Sequence, residues 1–295
     1  THLFGLVNIS VINEEHMTDK THEFGIAVLL PTRGRSDALE RSVKSLFELA
    51  DNPNRIQLML GFDEDDTEGL AAFEELLLPW LDERDINYTA MSFEPLGYTR
   101  LNEYVNALAL ESDADWVFFW NDDAYVETQG WDTVVESHTG EFKLLAVHTH
   151  NDHPYSIFPI APRAWLDHMG HLSPHQISDA WLSQQAYLLD IWERIPVNVV
   201  HDRHDLTGNN DDATFQNRIM YEGNPSNPRD FHHPGWSKYR IDECERLAEY
   251  MRANGISTDW WEAVKSNKQD PWAKLKVNDV NKQMVQFNNV YYPQS

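Results

Sequence analysis

The chain has 295 residues, enough to bury a sizeable core as one large domain or as a domain with an extension. Its 48 acidic residues outnumber 23 basic ones, for a formal net charge of -25, a field that repels polyanions and argues against nucleic acid as a ligand. A single cysteine, Cys244, excludes an intrachain disulfide and favours an intracellular, cytoplasmic location.

At the N-terminus the longest apolar run, Leu3 to Ile12, is too short to span a bilayer and lacks a basic flank. Neither a signal peptide nor a membrane partner is expected. His16-Met17 reads as a cloning junction behind a foreign leader; the alternative is a native arm over residues 1–24. Ile26-Ala27-Val28-Leu29-Leu30 is a continuous apolar run closed by Pro31, as in a buried parallel strand. Ser36 is an expected N-cap, after which Leu39, Val43, Leu46, Phe47 and Ala50 share one helical face.

A second strand is expected over Ile56–Phe62, a second helix over Thr67–Leu78, and a short strand over Asn87–Met91. A third helix follows over Thr99–Leu110, and then a very apolar strand, Trp116–Trp120. Strands separated by helices of this length predict a parallel α/β sheet, whose binding sites lie at the carboxyl ends of the strands. The pattern changes after residue 130. Short strands at Leu144–Thr149, Ile157–Ile160 and Val197–Val200 mix with a helix near Ser178–Trp192. Residues 201–235 read as functional loop, Tyr239–Ala253 as an amphipathic helix, and the tail from Trp260 as a wrapping segment.

Each strand of the first half ends in polar groups. These are Pro31-Thr32-Arg33-Gly34-Arg35, Asp63-Glu64-Asp65-Asp66 and Asn121-Asp122-Asp123. Gly97 precedes Arg100, Asn102 and Asn106, the last two sharing a helix face. Acidic strand ends beside an arginine-bearing loop suit a metal-bound phosphate ester, with oxygen ligands appropriate to Mg²⁺ or Mn²⁺.

In this order the motifs IAVLLPTRGR, LMLGFDEDDTE, GYTRLNEYVNALAL and WVFFWNDDAYVETQGWD resemble those of the GT-A-fold glycosyltransferases that use nucleotide-diphosphate sugars. The similarity covers residues 25–215 and includes a D-x-D-like NDD strand end. It implies a GT-A-like, Rossmann-like, mostly parallel sheet flanked by helices, with a mixed α+β acceptor half and a C-terminal helical extension. By the same resemblance residues 25–130 are the nucleotide-sugar half, 131–235 the acceptor and catalytic half, and 236–295 a C-terminal helix and tail. Pro31, Thr32, Arg33, Arg35, Asp63, Gly97, Arg100, Asn102, Asn121 and Asp122 are then expected to bind the donor.

Asn121 departs from the family pattern, standing where the first aspartate often is, so Asp123 is the expected metal ligand for Mn²⁺ or Mg²⁺. The period of an extended chain sets Asn121 and Asp123 on one side and Asp122 on the other. The resemblance makes Asp179, opening the helix after FPIAPRAWLDHMGHLSPHQIS, the catalytic base, and His201 a further metal ligand with His204 as the alternative. It implies metal-assisted, inverting transfer from a nucleotide-diphosphate sugar donor. The acceptor is a glycan or, against the charge, a hydroxymethylated base in phage DNA.

One stretch points elsewhere. His148-x-His150-x-Asp152-His153 resembles the metal motif of zinc hydrolases of the metallo-β-lactamase type. That fold, however, places its motif after a β-rich half and before a glycine-rich helix start. Here a βαβα half precedes it and Pro154 and Pro159 follow, so His150 and Asp152, with Trp120 and Trp181, are expected at the acceptor pocket. A nucleotidyltransferase would normally bring a more glycine-rich loop than Arg33-Gly34-Arg35.

Overall fold

A computed structural model describes residues 22–149, 156–202, 220–221, 223–224 and 226–270. The first half is built as its apolar periodicity requires. β1 (Phe24–Thr32) lies between two parallel neighbours, β2 (Ile56–Asp63) and β4 (Ala114–Phe119), and β3 (Tyr88–Phe93) pairs in parallel outside β2. Because successive side chains on a strand face opposite ways, Ile26, Val28 and Leu30 enter one core cluster and Ala27 and Leu29 the other. The first cluster packs beneath α1 (Ser36–Glu48), through Leu39, Val43, Leu46 and Phe47. The second packs beneath α4 (Leu101–Glu111), through Val105, Leu108 and Ala109.

The crossover between β2 and β3 is one helical stretch in three pieces. α2 (Thr67–Ala72) runs through a π-helical turn (Phe73–Leu77) into α3 (Leu78–Glu83). Ser36 does not cap α1; it is the first helical residue, and no side chain caps that helix. The Asp66 carboxylate caps α2, accepting from the Gly69 amide at 3.1 Å.

The second half continues the same sheet in mixed directions. β7 (Pro159–Pro162) runs antiparallel to β4, β6 (Leu144–Thr149) antiparallel to β7, and β8 (Trp192–His201) parallel to β6. A three-residue strand, β5 (Ala124–Val126), closes the far edge against β8, giving the order β3-β2-β1-β4-β7-β6-β8-β5. β5 follows β4 after four intervening residues, yet in strand order it lies four positions away, about 19 Å in a flat sheet. Five peptide steps reach at most about 17 Å fully extended, and this link contains a turn. The sheet therefore has to curl until its last strands return to the end of β4.

Several elements lie outside the sequence expectations. These are β5, α5 (Trp131–Glu136), α6 (Arg163–Met169) and α9 (Asp259–Lys265), which forms where a wrapping tail is expected. β8 starts five residues earlier than expected, because α7 (Ser178–Leu189) stops at Asp190, in a left-handed conformation at φ 57°. α8 (Pro234–Ala253) packs on α6 and α7 over the second core cluster. Among the described residues no helix is long and apolar enough to cross a membrane.

α5 begins with Gly130-Trp131-Asp132, and each residue fastens α5 to the C-terminal end of α1. Gly130, at φ 70°, donates its amide to the Leu49 carbonyl at 2.7 Å, and a Cβ there would collide with the Asp51 carboxylate. The Trp131 indole donates to the Leu46 carbonyl at 2.8 Å. The fully buried Asp132 carboxylate accepts from the amides of Asp51 and Asn52 at 2.8 and 2.7 Å. This tripeptide is a structural buckle.

Candidate active site

The curl has a chemical result at the carboxyl ends of β1, β2 and β4. β8 buries Ile195, Val197 and Val199 at alternate positions, and the same period points His201 inward. Its register partner is Ala124, so the strand end arrives beside the Asn121–Asp123 turn. His201 Nε2 lies 3.2 Å from Asp123 Oδ1, and the Asp202 amide donates to the Asp123 carbonyl at 2.8 Å. The imidazole is held edge-on against Phe158, with ring centroids 4.9 Å apart.

Asn121, Asp122 and Asp123 form a turn rather than a strand, which corrects the expectation that Asp122 and Asp123 face opposite sides. Arg35 bridges both carboxylates, at 2.8 Å from Asp122 Oδ1 and 3.0 Å from Asp123 Oδ2. Asp122, only 1% exposed, also accepts from the Thr32 hydroxyl at 2.7 Å. The Asn121 carbonyl accepts from the Ala124 amide and the Ser42 hydroxyl, so this residue contributes its backbone to the turn. Burial pushes the Asp123 carboxyl pKa up. The His201 hydrogen bond and the charges of His201 and Arg35 outweigh burial and hold it below the ordinary carboxylate value.

The second strand end is equally occupied. Arg33 donates to Asp63 at 2.6 Å and to both Asp65 oxygens, at 2.5 and 3.0 Å. The Gly34 amide donates to Asp66 at 2.8 Å. The buried Asp63 also accepts from the Tyr104 hydroxyl of α4, whose pKa is pushed up to about 12 by burial and by that carboxylate. The acidic DEDD run is therefore not a merely solvated patch: three of its aspartates fix the Arg33–Gly34 loop or cap α2. Pro31 stands in the β1–β2 ladder opposite Gly61. Thr32, Arg33, Arg35, Asp63, Asp122, Asp123 and His201 thus come together at one end of the sheet.

The third-helix motif divides its roles. Gly97 takes φ 69° before the short turn Tyr98–Arg100, a conformation that favours glycine. Arg100 turns to Glu103, at 2.7 and 2.6 Å, and toward Glu94 at 3.7 Å, a local surface cluster. Asn102 and Asn106 both donate to the Ser173 carbonyl, at 3.3 and 2.7 Å, and Asn106 Oδ1 accepts from the amides of Leu172 and Ser173. The Asn102 side chain therefore ties α4 to the loop that leads into α7. Asp179 lies half-buried in the first turn of α7, beyond this loop.

Two expected acceptor residues belong to the core. Trp120 is fully buried, donates to Ser42 Oγ at 2.7 Å and packs on Phe118 and Phe158. Trp181 is fully buried, donates to Glu243 Oε2 at 2.8 Å and carries the Arg240 guanidinium 4.6 Å over its ring. Neither ring has a face open to a sugar. His148 sits in β6, opposite Asn198, while His150, Asp152, His153 and His204 lie outside the described residues.

Sequence reasoning missed Tyr104, Arg41 and Asp202. Tyr104 was visible only as a polar tip on an otherwise apolar helix face. Arg41, on α1, donates to Asp202 at 2.8 Å and lies 4.5 Å over the Tyr125 ring, pinning β5 and the end of β8 together. Nothing local in the sequence couples residues 41, 125 and 202.

The curled α/β sheet, with its polar groups gathered at these strand ends, has a GT-A-like fold. The chain is similar in structure to the mannosyltransferase PcManGT from Pyrobaculum calidifontis, solved with GDP-Man and Mn2+. The TM-score is 0.52 at 12% identity, covering 92% of this chain and 89% of that one. It is also similar to S. aureus TarS 1-349 in complex with UDP-GlcNAc, with TM-score 0.48 and 14% identity over 83% of this chain and 93% of that one. No family model matches the sequence, and no curated protein matches it.

Proposed function

We propose that the protein transfers a sugar from a nucleotide-diphosphate donor to a hydroxyl of a glycan acceptor, with inversion at the anomeric carbon. The observation that carries this reading is the meeting of Asp123, in the turn between β4 and β5, with His201 at the end of β8, beside the Thr32–Arg35 loop of a GT-A fold. The Asp123 and His201 donor atoms are 3.2 Å apart, near the about 3 Å between adjacent ligands on an octahedral ion with bonds of about 2.1 Å. Asp123 and His201 would hold a divalent ion such as Mn²⁺ or Mg²⁺, with His204, outside the described residues, as the alternative to His201. Once bound, that ion would stabilise negative charge on the departing diphosphate.

The chain's own groups supply the rest. Arg33 and Arg35 offer guanidiniums to phosphate oxygens, which they recognise with planar, forked donors. Asp63, oriented by Tyr104 and Arg33, accepts from the nucleoside. Asp179 takes the proton of the acceptor hydroxyl as its oxygen forms the new bond to the anomeric carbon. The old bond breaks and its electrons leave with the nucleoside diphosphate. A net charge of -25 favours a glycan over DNA as acceptor.

The test is a thermal-shift screen of GDP- and UDP-sugars with and without Mn²⁺, followed by product analysis with the donor that binds. A selective, metal-dependent rise in melting temperature and release of nucleoside diphosphate are expected. No shift with any donor would overturn the reading.

A further inference from the structure

Two arginines stand in the loop after β1 and do different things. Arg33 faces Asp63 and Asp65 at the end of β2, whereas Arg35 spans Asp122 and Asp123, at 2.8 and 3.0 Å. Asp122 is almost wholly buried, and two adjoining carboxylates held this far from water need a compensating cation. Arg35 supplies one. Its own side chain is 38% exposed, whereas Asp122 is almost wholly covered.

We infer that Arg35 is an internal counter-cation that competes with the divalent ion for Asp122 and Asp123. The inference rests on the metal assignment of the proposed function and adds a control to it. A guanidinium seated on Asp122 Oδ1 and Asp123 Oδ2 already neutralises the carboxylate pair that an ion at Asp123 Oδ1 and His201 would use, and two cations at one carboxylate pair repel. Metal entry is therefore opposed by Arg35, and a guanidinium displaced from the carboxylates can meet the diphosphate of the donor. By linkage, whatever draws Arg35 from the carboxylates raises metal affinity, and metal that displaces Arg35 raises affinity for the anion it then meets. The Thr32 hydroxyl lies on Asp122 Oδ2 while Arg35 uses Oδ1, so exchange at Oδ1 does not require Thr32 to leave.

The experiment measures Mn²⁺ binding to the full chain without nucleotide, following the free-ion EPR signal, for wild type, Arg35→Gln and Arg35→Lys. Losing a charge-assisted contact on the ligand oxygens predicts that Arg35→Gln binds Mn²⁺ about tenfold more tightly. Arg35→Lys, which keeps a cation without the fork, is expected between the two. A second readout guards against misfolding. Metal-free Arg35→Gln should melt below wild type, and saturating Mn²⁺ should close that gap. Equal or weaker Mn²⁺ binding by a folded Arg35→Gln protein would overturn the competition while leaving the metal site standing. Absence of Mn²⁺ binding in all three proteins would instead overturn the metal assignment.

Discussion

The amide of Asp202 donates to the carbonyl of Asp123 at 2.8 Å, while the Asp202 carboxylate accepts from Arg41 at the same distance. Arg41 thus reaches the Asp123–His201 pair through the backbone without touching either side chain. Partners that orient metal ligands from behind typically matter about 10- to 100-fold in metal affinity. Arg41→Met should weaken Mn²⁺ binding about tenfold. As a half-exposed ion pair, Arg41–Asp202 contributes at most about 1 kcal/mol to folding, so the melting temperature should move little. Calorimetric Mn²⁺ titration beside a thermal melt separates the two effects.

Asp179→Asn tests the proton step. The amide keeps the shape and cannot accept a proton, so kcat should fall about 10²- to 10⁴-fold with donor affinity unchanged. Steady-state kinetics with the best donor from the thermal-shift screen, alongside donor titration, decides it. Unchanged turnover would remove Asp179 from the mechanism.

Tyr104→Phe removes one donor from the buried Asp63. Leaving a buried carboxylate short of a partner costs about 1–3 kcal/mol, seen as a lower denaturation midpoint. Nucleotide affinity should fall as well, because Asp63 then answers to Arg33 alone. Nucleoside-diphosphate titration of the variant reads that second effect.

Asp132→Ala opens the buckle between α1 and α5. Two amide contacts to a buried carboxylate are lost together, and a cost of about 3 kcal/mol is expected in urea unfolding. Mn²⁺ affinity of the folded fraction should be that of wild type, since the buckle lies away from Asp123.

His175 makes stability depend on pH. Burial lowers its pKa from 6.5 to about 4, and both ring nitrogens are engaged, Nδ1 by the Ile177 amide and Nε2 by the Arg229 carbonyl. The unfolded chain therefore takes up the proton first as the pH falls. The His175 contribution is complete above about pH 6.5 and is lost on descending toward about pH 4, by about 3 kcal/mol in all. Unfolding free energies of wild type and His175→Gln over this range should differ in slope there. Parallel curves would contradict the assignment.

The first half of the fold was legible because its signals are local. Ile26–Leu30 and Trp116–Phe119 are long apolar runs, and the face of Leu39, Val43 and Leu46 has helical spacing. The short β5 carries no such signal, since Ala124–Val126 becomes a strand only by pairing with β8. The period of an extended chain separates Asp122 from Asp123, but these residues lie in a turn, where that period does not hold. Trp120 and Trp181 show the limit of residue type alone. An indole that suits a sugar ring also suits a core, provided its N–H finds a partner such as Ser42 or Glu243.

Asn102 and Asn106 acquire a mechanical meaning from their shared grip on Ser173. Through them a helix of the parallel half of the sheet and the loop feeding α7 are joined as by a strut. Any movement at the start of α4, beside Tyr104 and Asp63, would pass along that strut to the loop that opens α7.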